Sequence, residues 1–361
     1  MIKRFLLSLL IVFLAGALCF AGGKTEEKDP SFELDENKTI ILTDNVGRDV
    51  ELPYPVTRAV VALRYNNELI RACGAIQYVV AADLNTAQDR NYWSNFDPDI
   101  VIGKSQRELN YEQIIQLNPQ VVILPHNGAY KEAEEKLAPF GIKIFVISGY
   151  DTSDFNNQVT NIGKMFNTEK QAQKFLDFFT EPLDLIQKKL EGIEKRTLYF
   201  ETTRDYSTSF PGGYYFNMIK YSGAKNIFEN PSEKLNKKEI DPEAVITGNP
   251  EFIVKNVTPD KARSGTGVYE PPPQDQMESV VIAIGNRPGW DEISAVKNNK
   301  VFLMSQFGHG AASKIMGSIY IAKWIYPDIF TELDPDEYFR AWLEDFQGFR
   351  FIDGHFYPHP E

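Results

Sequence analysis

The chain predicts an α/β fold of two Rossmann-like lobes, joined by a long helical segment, with a ligand cleft between them. Three observations predict it. Continuous apolar runs such as Ala59 to Leu63 and Val121 to Leu124 recur with helical patterns between them, and strands of that kind form parallel sheets covered on both faces. From about Asp154 to Glu191 the alternation gives way to apolar residues at three- and four-residue spacing, the period of helix. Strand–helix alternation then resumes, and 361 residues are enough for two domains that each bury a core.

The elements follow in order. Residues 1–21 read as a secretory signal: Lys3 and Arg4 are the basic start, Phe5 to Leu14 the apolar run, and Ala15, Gly16, Ala17 and Ala21 the small residues a peptidase needs. The run is short for a membrane span, which takes about 20 apolar residues. Cleavage near Ala21 is the default. Cys19 raises a second option, acylation of a new N-terminus; Leu18 before it fits poorly, whereas the polar linker over 22–38 would suit a tether. An N-terminal lobe over 39–153 opens on a hairpin, Thr39 to Thr43 and Asp49 to Leu52, then strands at Ala59, Tyr78, Val121 and Lys143. The connecting region is 154–194, with a break at Met165 to Thr168 and Pro182 as a start or kink. The C-terminal lobe, 195–331, carries strands at Thr197 to Phe200, Phe252 to Val254 and Val301 to Met304. A tail over 332–361 has a helix from Asp336 to Phe346 and then aromatics, Phe349, Phe351, Phe356 and Tyr357.

Charge excludes one class of partner. With 38 basic and 50 acidic residues the net charge is −12, so no basic face is available to condense on nucleic acid. A mean hydropathy of −0.32 fits a protein that is not buried in a membrane. Beyond the signal only Cys73 remains, which precludes an intrachain disulfide and reads as a core residue.

The halves echo each other. Asn110 to Gln120 and Asp241 to Glu251 each lead into a strand, and Glu112 and Glu243 lie 131 residues apart, as do Pro119 and Pro250. Each Glu opens a short helix, where a carboxylate suits the helix dipole, and that alone would account for the repeat.

Together with the opening Thr43 to Pro53 (TDNVGRDVELP), these units, Ser222 to Ile227, Trp290 to Val301 and Tyr326 to Phe330 resemble the periplasmic binding proteins that serve ABC importers of iron–siderophore complexes, haem and cobalamin. The resemblance spans about Thr39 to Phe330. It implies a long helix between the lobes and no catalytic activity. It also implies a permease partner, with its ATPase acting indirectly, that Glu112 and Glu243 would meet through Arg residues. The tail continues past the family's usual stop and is expected to pack on the C-terminal lobe.

Ligands in such a cleft are met by loops at strand ends. The candidates are Arg64, Tyr65, Arg90, Trp93, Gln106, Arg107, His126 and Asn127 in the first lobe, and Arg204, Tyr206, Tyr214, Lys255, Arg263 and His309 in the second. Arg grips carboxylates and oxyanions through paired hydrogen bonds, and at least one of Arg107, Arg204 and Arg263 is expected to do so. Aromatics suit a chelate or ring. No His or Cys spacing closes a metal shell, and His355 and His359 read as parts of a solvated terminus. The loop at Gly308 to Lys314 lacks the nucleotide-binding spacing, and no G-x-S-x-G elbow occurs. The expectation is an exported monomer, periplasmic or in the cell envelope, without a cofactor, that carries an iron complex (siderophore, haem or cobalamin-like chelate). Two alternatives stand: the same fold binding molybdate or tungstate, and an exported enzyme using cleft carboxylates.

Overall fold

The computed structural model describes residues 38–213, 215–229, 240–260, 267–305, 307 and 311–358. The signal segment, Cys19, Tyr214, Arg263, His309 and His359 lie outside them. No helix among the described residues is long and apolar enough to cross a membrane.

The first half runs β1 (Thr39–Thr43), β2 (Asp49–Pro53), β3 (Ala59–Val61), α1 (Arg64–Ala72), β4 (Val79–Ala82), α2 (Leu84–Ala87), β5 (Gly103–Ser105), β6 (Glu108–Leu109), α3 (Tyr111–Leu117), β7 (Val121–Leu124), α4 (Tyr130–Leu137) and β8 (Lys143–Val146). Strands β4-β3-β7-β8 form a parallel sheet, and β1-β2 an antiparallel hairpin beside it. Alternate residues divide this sheet between two packed faces. Val60, Val122 and Ile144 join Ile114 of α3 and Leu137 of α4, while Val61, Ile123 and Phe145 join Leu69 and Ile70 of α1.

Two helices connect the halves, α5 (Phe155–Phe166) and the 21-residue α6 (Glu169–Lys189). The break between them is the Asn167 cap in left-handed conformation. Pro182 falls inside α6, which continues through it. Gly163 is where α5 and α6 cross: a Cβ there would lie 2.7 Å from the Ala172 Cβ.

The second half contains β9 (Thr197–Glu201), α7 (Phe216–Tyr221), β10 (Lys225–Asn226), α8 (Pro242–Gly248), β11 (Phe252–Val257), α9 (Gln274–Gly285), α10 (Ser294–Lys297), β12 (Val301–Ser305), α11 (Ala311–Ile325), α12 (Pro335–Ala341) and β13 (Phe356–Tyr357). Its sheet order is β10-β9-β11-β12-β13, parallel except for β13. Helix α9 had no counterpart in the sequence reading. Only Met277 and Ile284 of it are buried, so its apolar stripe is too narrow to show as a helical period.

The tail does more than cover the C-terminal lobe. Strand β13 closes the edge of that lobe's sheet, and Phe356 stacks on Tyr320 at 3.4 Å. Its helical turn also places Trp342 against Phe175 and Phe346 against Phe178 of the connector. Phe349 then reaches Tyr92 of the N-terminal lobe, with ring centroids 4.9 Å apart. His355, expected in solvent, is 2% exposed, because β13 carries it beneath Ser305.

Candidate ligand site

The C-terminal ends of both parallel sheets supply the loops that meet between the lobes. In the N-terminal lobe β3 hands over to α1 at Leu63, whose φ of 81° is unfavourable for a residue with a side chain. The conformation is held from two sides. The Leu63 N–H donates to Asp83 Oδ1 at 2.8 Å, and Asn67 Nδ2 donates to the Leu63 carbonyl. This turn sets Arg64 and Tyr65 at the helix start. The Arg64 guanidinium lies 5.7 Å from the Tyr65 ring centroid and, among the described residues, has no carboxylate at ion-pair distance. Burial works against its charge, but Tyr65, Tyr269, Glu68 and Asp83 outweigh burial and hold the guanidinium protonated. Gly149 is needed beside it, since a Cβ there would sit 2.6 Å from the Tyr65 carbonyl oxygen.

On one side of this point the lobes touch through aromatic rings. Tyr92 stacks on Tyr269, a residue of the loop after β11, at 3.7 Å and 10°. Trp93 Nε1 donates to the Tyr269 hydroxyl at 3.0 Å, and the Gly267 N–H donates to Asp89 Oδ2 at 3.1 Å. Glu68 is buried beneath the stack. Burial pushes its carboxyl up to about 7, against the pull of Arg64, Arg71 and a hydrogen bond from Tyr269.

On another side Lys314, in the first turn of α11, donates from Nζ to the Tyr150 carbonyl. It is 1% exposed, and burial pushes its ammonium down to about 7. Tyr150 also gathers several sequence-predicted residues. Its hydroxyl lies 2.9 Å from His126 Nε2, and His126 Nδ1 lies 2.9 Å from Ser148 Oγ. Arg107 Nε donates to the Asn127 carbonyl at 3.1 Å, and the Ala129 N–H donates to the Gln106 carbonyl at 2.9 Å. Gln106, Arg107, His126 and Asn127 therefore form one group at the ends of β5 and β7, while Arg90 is exposed beyond Asp89.

The corresponding end of the C-terminal lobe is organised differently. Glu201, fully buried at the end of β9, receives Arg287 through both terminal nitrogens at 2.8 and 2.9 Å. It also receives Lys255 Nζ at 2.6 Å, the Tyr199 hydroxyl at 2.9 Å and the Tyr206 N–H at 2.9 Å. Burial opposes its charge, yet Arg287 and Lys255 hold Glu201 below the ordinary carboxylate range. Asp205 shares both cations at 3.0 Å. The Lys255 ammonium thus neutralises a carboxylate inside the lobe, and Tyr206 lies 4.6 Å from the Arg287 guanidinium. Arg204 is exposed next to this cluster.

Sequence reasoning missed Glu68, Tyr92, Tyr150, Tyr269 and Lys314. Tyr150 and Lys314 had a usable signal, a polar residue soon after a strand or at a helix start facing the same cleft. Tyr269 had none, since its partner Tyr92 is 177 residues away. Among the described residues no group of three or more His, Cys, Asp or Glu side chains is placed to hold a metal.

Two parallel-sheet lobes, a helical connector and a polar, aromatic seam between strand ends define a binding protein, and the chain belongs to the periplasmic binding protein family, whose model matches residues 64–306. It is a non-enzymatic, substrate-binding component of an ABC importer. Among its relatives, the molybdate-binding protein MolA of Haemophilus influenzae is 22% identical over 338 residues, 85% of this chain and 90% of that protein. The solved structure of MolA with molybdate superposes with a TM-score of 0.65 at 20% identity, covering 87% of this chain and 99% of that one. An uncharacterized ABC transporter substrate-binding lipoprotein of Bacillus subtilis, YvrC, is 24% identical over 90% of this chain and 97% of its own. The vitamin B12-binding protein of Pectobacterium carotovorum is 21% identical over 60% of this chain and 78% of its own.

Proposed function

We propose that the protein is exported, captures a small oxyanion of the size of molybdate or tungstate between its lobes, and delivers it to the importer's permease. The observation that carries this reading is how the lobes meet. Trp93 and Asp89 on one side, and Tyr150 on another, already bond directly to the opposite lobe, so the space around Arg64 is bounded by contacts. A forked cation in a confined, partly desolvated site suits a compact anion. MolA, similar over most of both chains, is named for molybdate binding and adds support.

A second reading keeps the iron or cobalamin chelate. It is favoured by the aromatic character of the seam, with Tyr65, Tyr92, Trp93, Tyr150 and Tyr269, and by the vitamin B12-binding relative. Titration calorimetry with molybdate, tungstate, a ferric catecholate, haemin and cobalamin separates the two. Saturable binding of molybdate or tungstate at one site per chain, weakened in Arg64→Ala, is expected. Binding of a chelate with no heat from either oxyanion would overturn the oxyanion reading.

A further inference from the structure

The tail holds both halves of the aromatic contact that joins the lobes. Gln347 is 2% exposed. Its Oε1 accepts from the Tyr92 hydroxyl at 3.1 Å, its Nε2 donates to the Glu68 carbonyl at 3.0 Å, and its own carbonyl accepts from Arg71 at 3.1 Å. Arg71 in turn lies 3.8 Å from the Trp93 ring centroid and 4.9 Å from that of Tyr92. Eight residues later His355 backs the other partner. Its Nδ1 lies 2.7 Å from Ser305 Oγ, and its ring packs 5.0 Å from that of Phe307, which in turn meets the Tyr269 ring edge-on at 5.4 Å. Between them, Phe349 packs edge-on against Tyr92 and, with Tyr269, Pro271, Arg350 and Ile352, lines a pocket beside the stack.

Each of these groups is expensive to leave unpaired. Gln347 and His355 are buried polar side chains whose hydrogen bonds all go to groups that either bear the stack or adjoin it. One segment of chain therefore fixes the Tyr92 hydroxyl from the N-terminal lobe and, through Ser305 and Phe307, backs the Tyr269 ring from the C-terminal lobe. The segment is itself anchored, through β13 on the sheet and through Trp342 and Phe346 on the connector. A contact fixed on both partners by the same strap resists lobe separation more than either lobe's own loops would, because opening must break the strap's bonds as well.

We propose that residues 334–357 form an interlobe clamp in which Gln347 and His355 are positioning residues. They hold the Tyr92–Tyr269 stack closed and so set how fast a bound ligand leaves. The proposal rests on the chain being a cleft binder, but its first test needs no ligand. Hydrogen exchange of the full, unliganded chain is compared for wild type, Gln347→Ala, His355→Ala, His355→Gln and Tyr92→Phe. In Gln347→Ala and His355→Ala, exchange over 88–96 and 267–271 should quicken together by about tenfold or more, with α3 unchanged. His355→Gln, which keeps a polar partner for the Ser305 hydroxyl, should restore part of the protection. If Gln347→Ala does not fold, Tyr92→Phe removes only the hydroxyl that Gln347 accepts from and should show the same pattern. Folded variants with unchanged exchange in both loops, or with a change confined to the tail, would overturn the clamp. Stopped-flow release of molybdate then gives the second arm: dissociation about tenfold faster with association altered less than about twofold. Equal slowing of association instead would also count against the clamp. Failure of the wild type to bind molybdate would refute the oxyanion reading, while the exchange data would still decide the clamp.

Discussion

The strand ends of the N-terminal lobe engage the opposite lobe: Arg64 lies near Tyr269, Trp93 Nε1 donates to the Tyr269 hydroxyl, and the Tyr150 carbonyl accepts from Lys314. At the strand ends of the C-terminal lobe the strongest charges are spent internally, with Glu201 bound to Arg287 and Lys255. The same topology thus serves two ends. A buried ion cluster fixes one lobe's loop geometry, whereas in the other lobe Arg64 has no carboxylate at ion-pair distance among the described residues. The difference teaches that Arg and Lys at strand ends cannot be assigned to a ligand by position alone. A buried carboxylate within reach claims them first, because leaving it unpaired costs several kcal/mol.

The largest effect should come from breaking the C-terminal cluster. Glu201→Ala leaves Lys255 and Arg287 without their buried partner and is expected to cost about 3–5 kcal/mol of stability. Chemical denaturation measures it directly. The folded fraction should still bind ligand with wild-type affinity. A variant that folds normally and loses binding would show that the cluster belongs to the ligand site after all, and the contrast between the lobes would fall.

Next in size is a pH dependence carried by one buried group on each lobe. Glu68 has its carboxyl raised to about 7. A raised acid contributes stability that is fully present below its unfolded value near 4.5 and is lost as pH rises through about 7; the whole change is roughly 3 kcal/mol. Lys314 has its ammonium lowered to about 7. Its contribution is fully present above the unfolded value near 10.5 and is lost as pH falls through about 7. The two groups together should carve a stability minimum near neutrality. Glu68→Gln should remove the falling limb and Lys314→Met the rising one. A profile flat from pH 5 to 9 in the wild type would show that neither group titrates as buried.

Arg64→Ala should leave stability nearly untouched and weaken oxyanion binding by about 1.5–3 kcal/mol, the range for hydrogen bonds to charged groups. Arg204→Ala, on the exposed flank of the C-terminal cluster, should change affinity by less than about threefold. Arg107→Ala, tied to the Asn127 carbonyl, tests whether the His126 group takes part as well. Reversal of the order, with Arg204 dominant, would move recognition to the other lobe.

How much of this was legible follows from which physics was local. The strands, the break at Asn167 and the two short helices with their carboxylates could be placed because each is written in a window of a few residues: Val121 to Leu124 as a continuous apolar run, Glu112 and Glu243 as carboxylates at helix starts. The candidate site was legible only in part. Arg64 and Tyr65 follow β3 directly and were within reach of that logic, whereas Trp93 lies well past β4, beyond α2. Tyr269 and Gln347 were not, since their roles depend on partners far away in the chain. Nor could Lys255 be separated from a ligand-facing lysine without knowing that Glu201 lies 2.6 Å away.

The smallest expected contact energies belong to the ends where the lobes agree. Glu112 and Glu243 both stand exposed in the first turn of a seven-residue helix, α3 and α8. Asn110 caps one helix and Asp241 the other, and both helices stop at a left-handed Asn, Asn118 and Asn249, followed by Pro119 and Pro250. The repeat read from the sequence is therefore a repeat of geometry, and the caps do not need the glutamates, since each cap side chain already accepts a backbone N–H. A carboxylate held outward in the same way on each lobe is suited to paired docking on basic residues of a permease. Exposed ion pairs are worth about 0–1 kcal/mol each, so either single reversal should be tolerated. Glu112→Lys with Glu243→Lys places two repulsions on one docking event and should abolish uptake while stability and ligand affinity stay unchanged. The measurement is transport into cells or proteoliposomes alongside calorimetry on the same preparation. Normal uptake by the double variant would reduce both residues to helix-start carboxylates, and lost ligand binding would mean that these ends of the lobes communicate with the cleft.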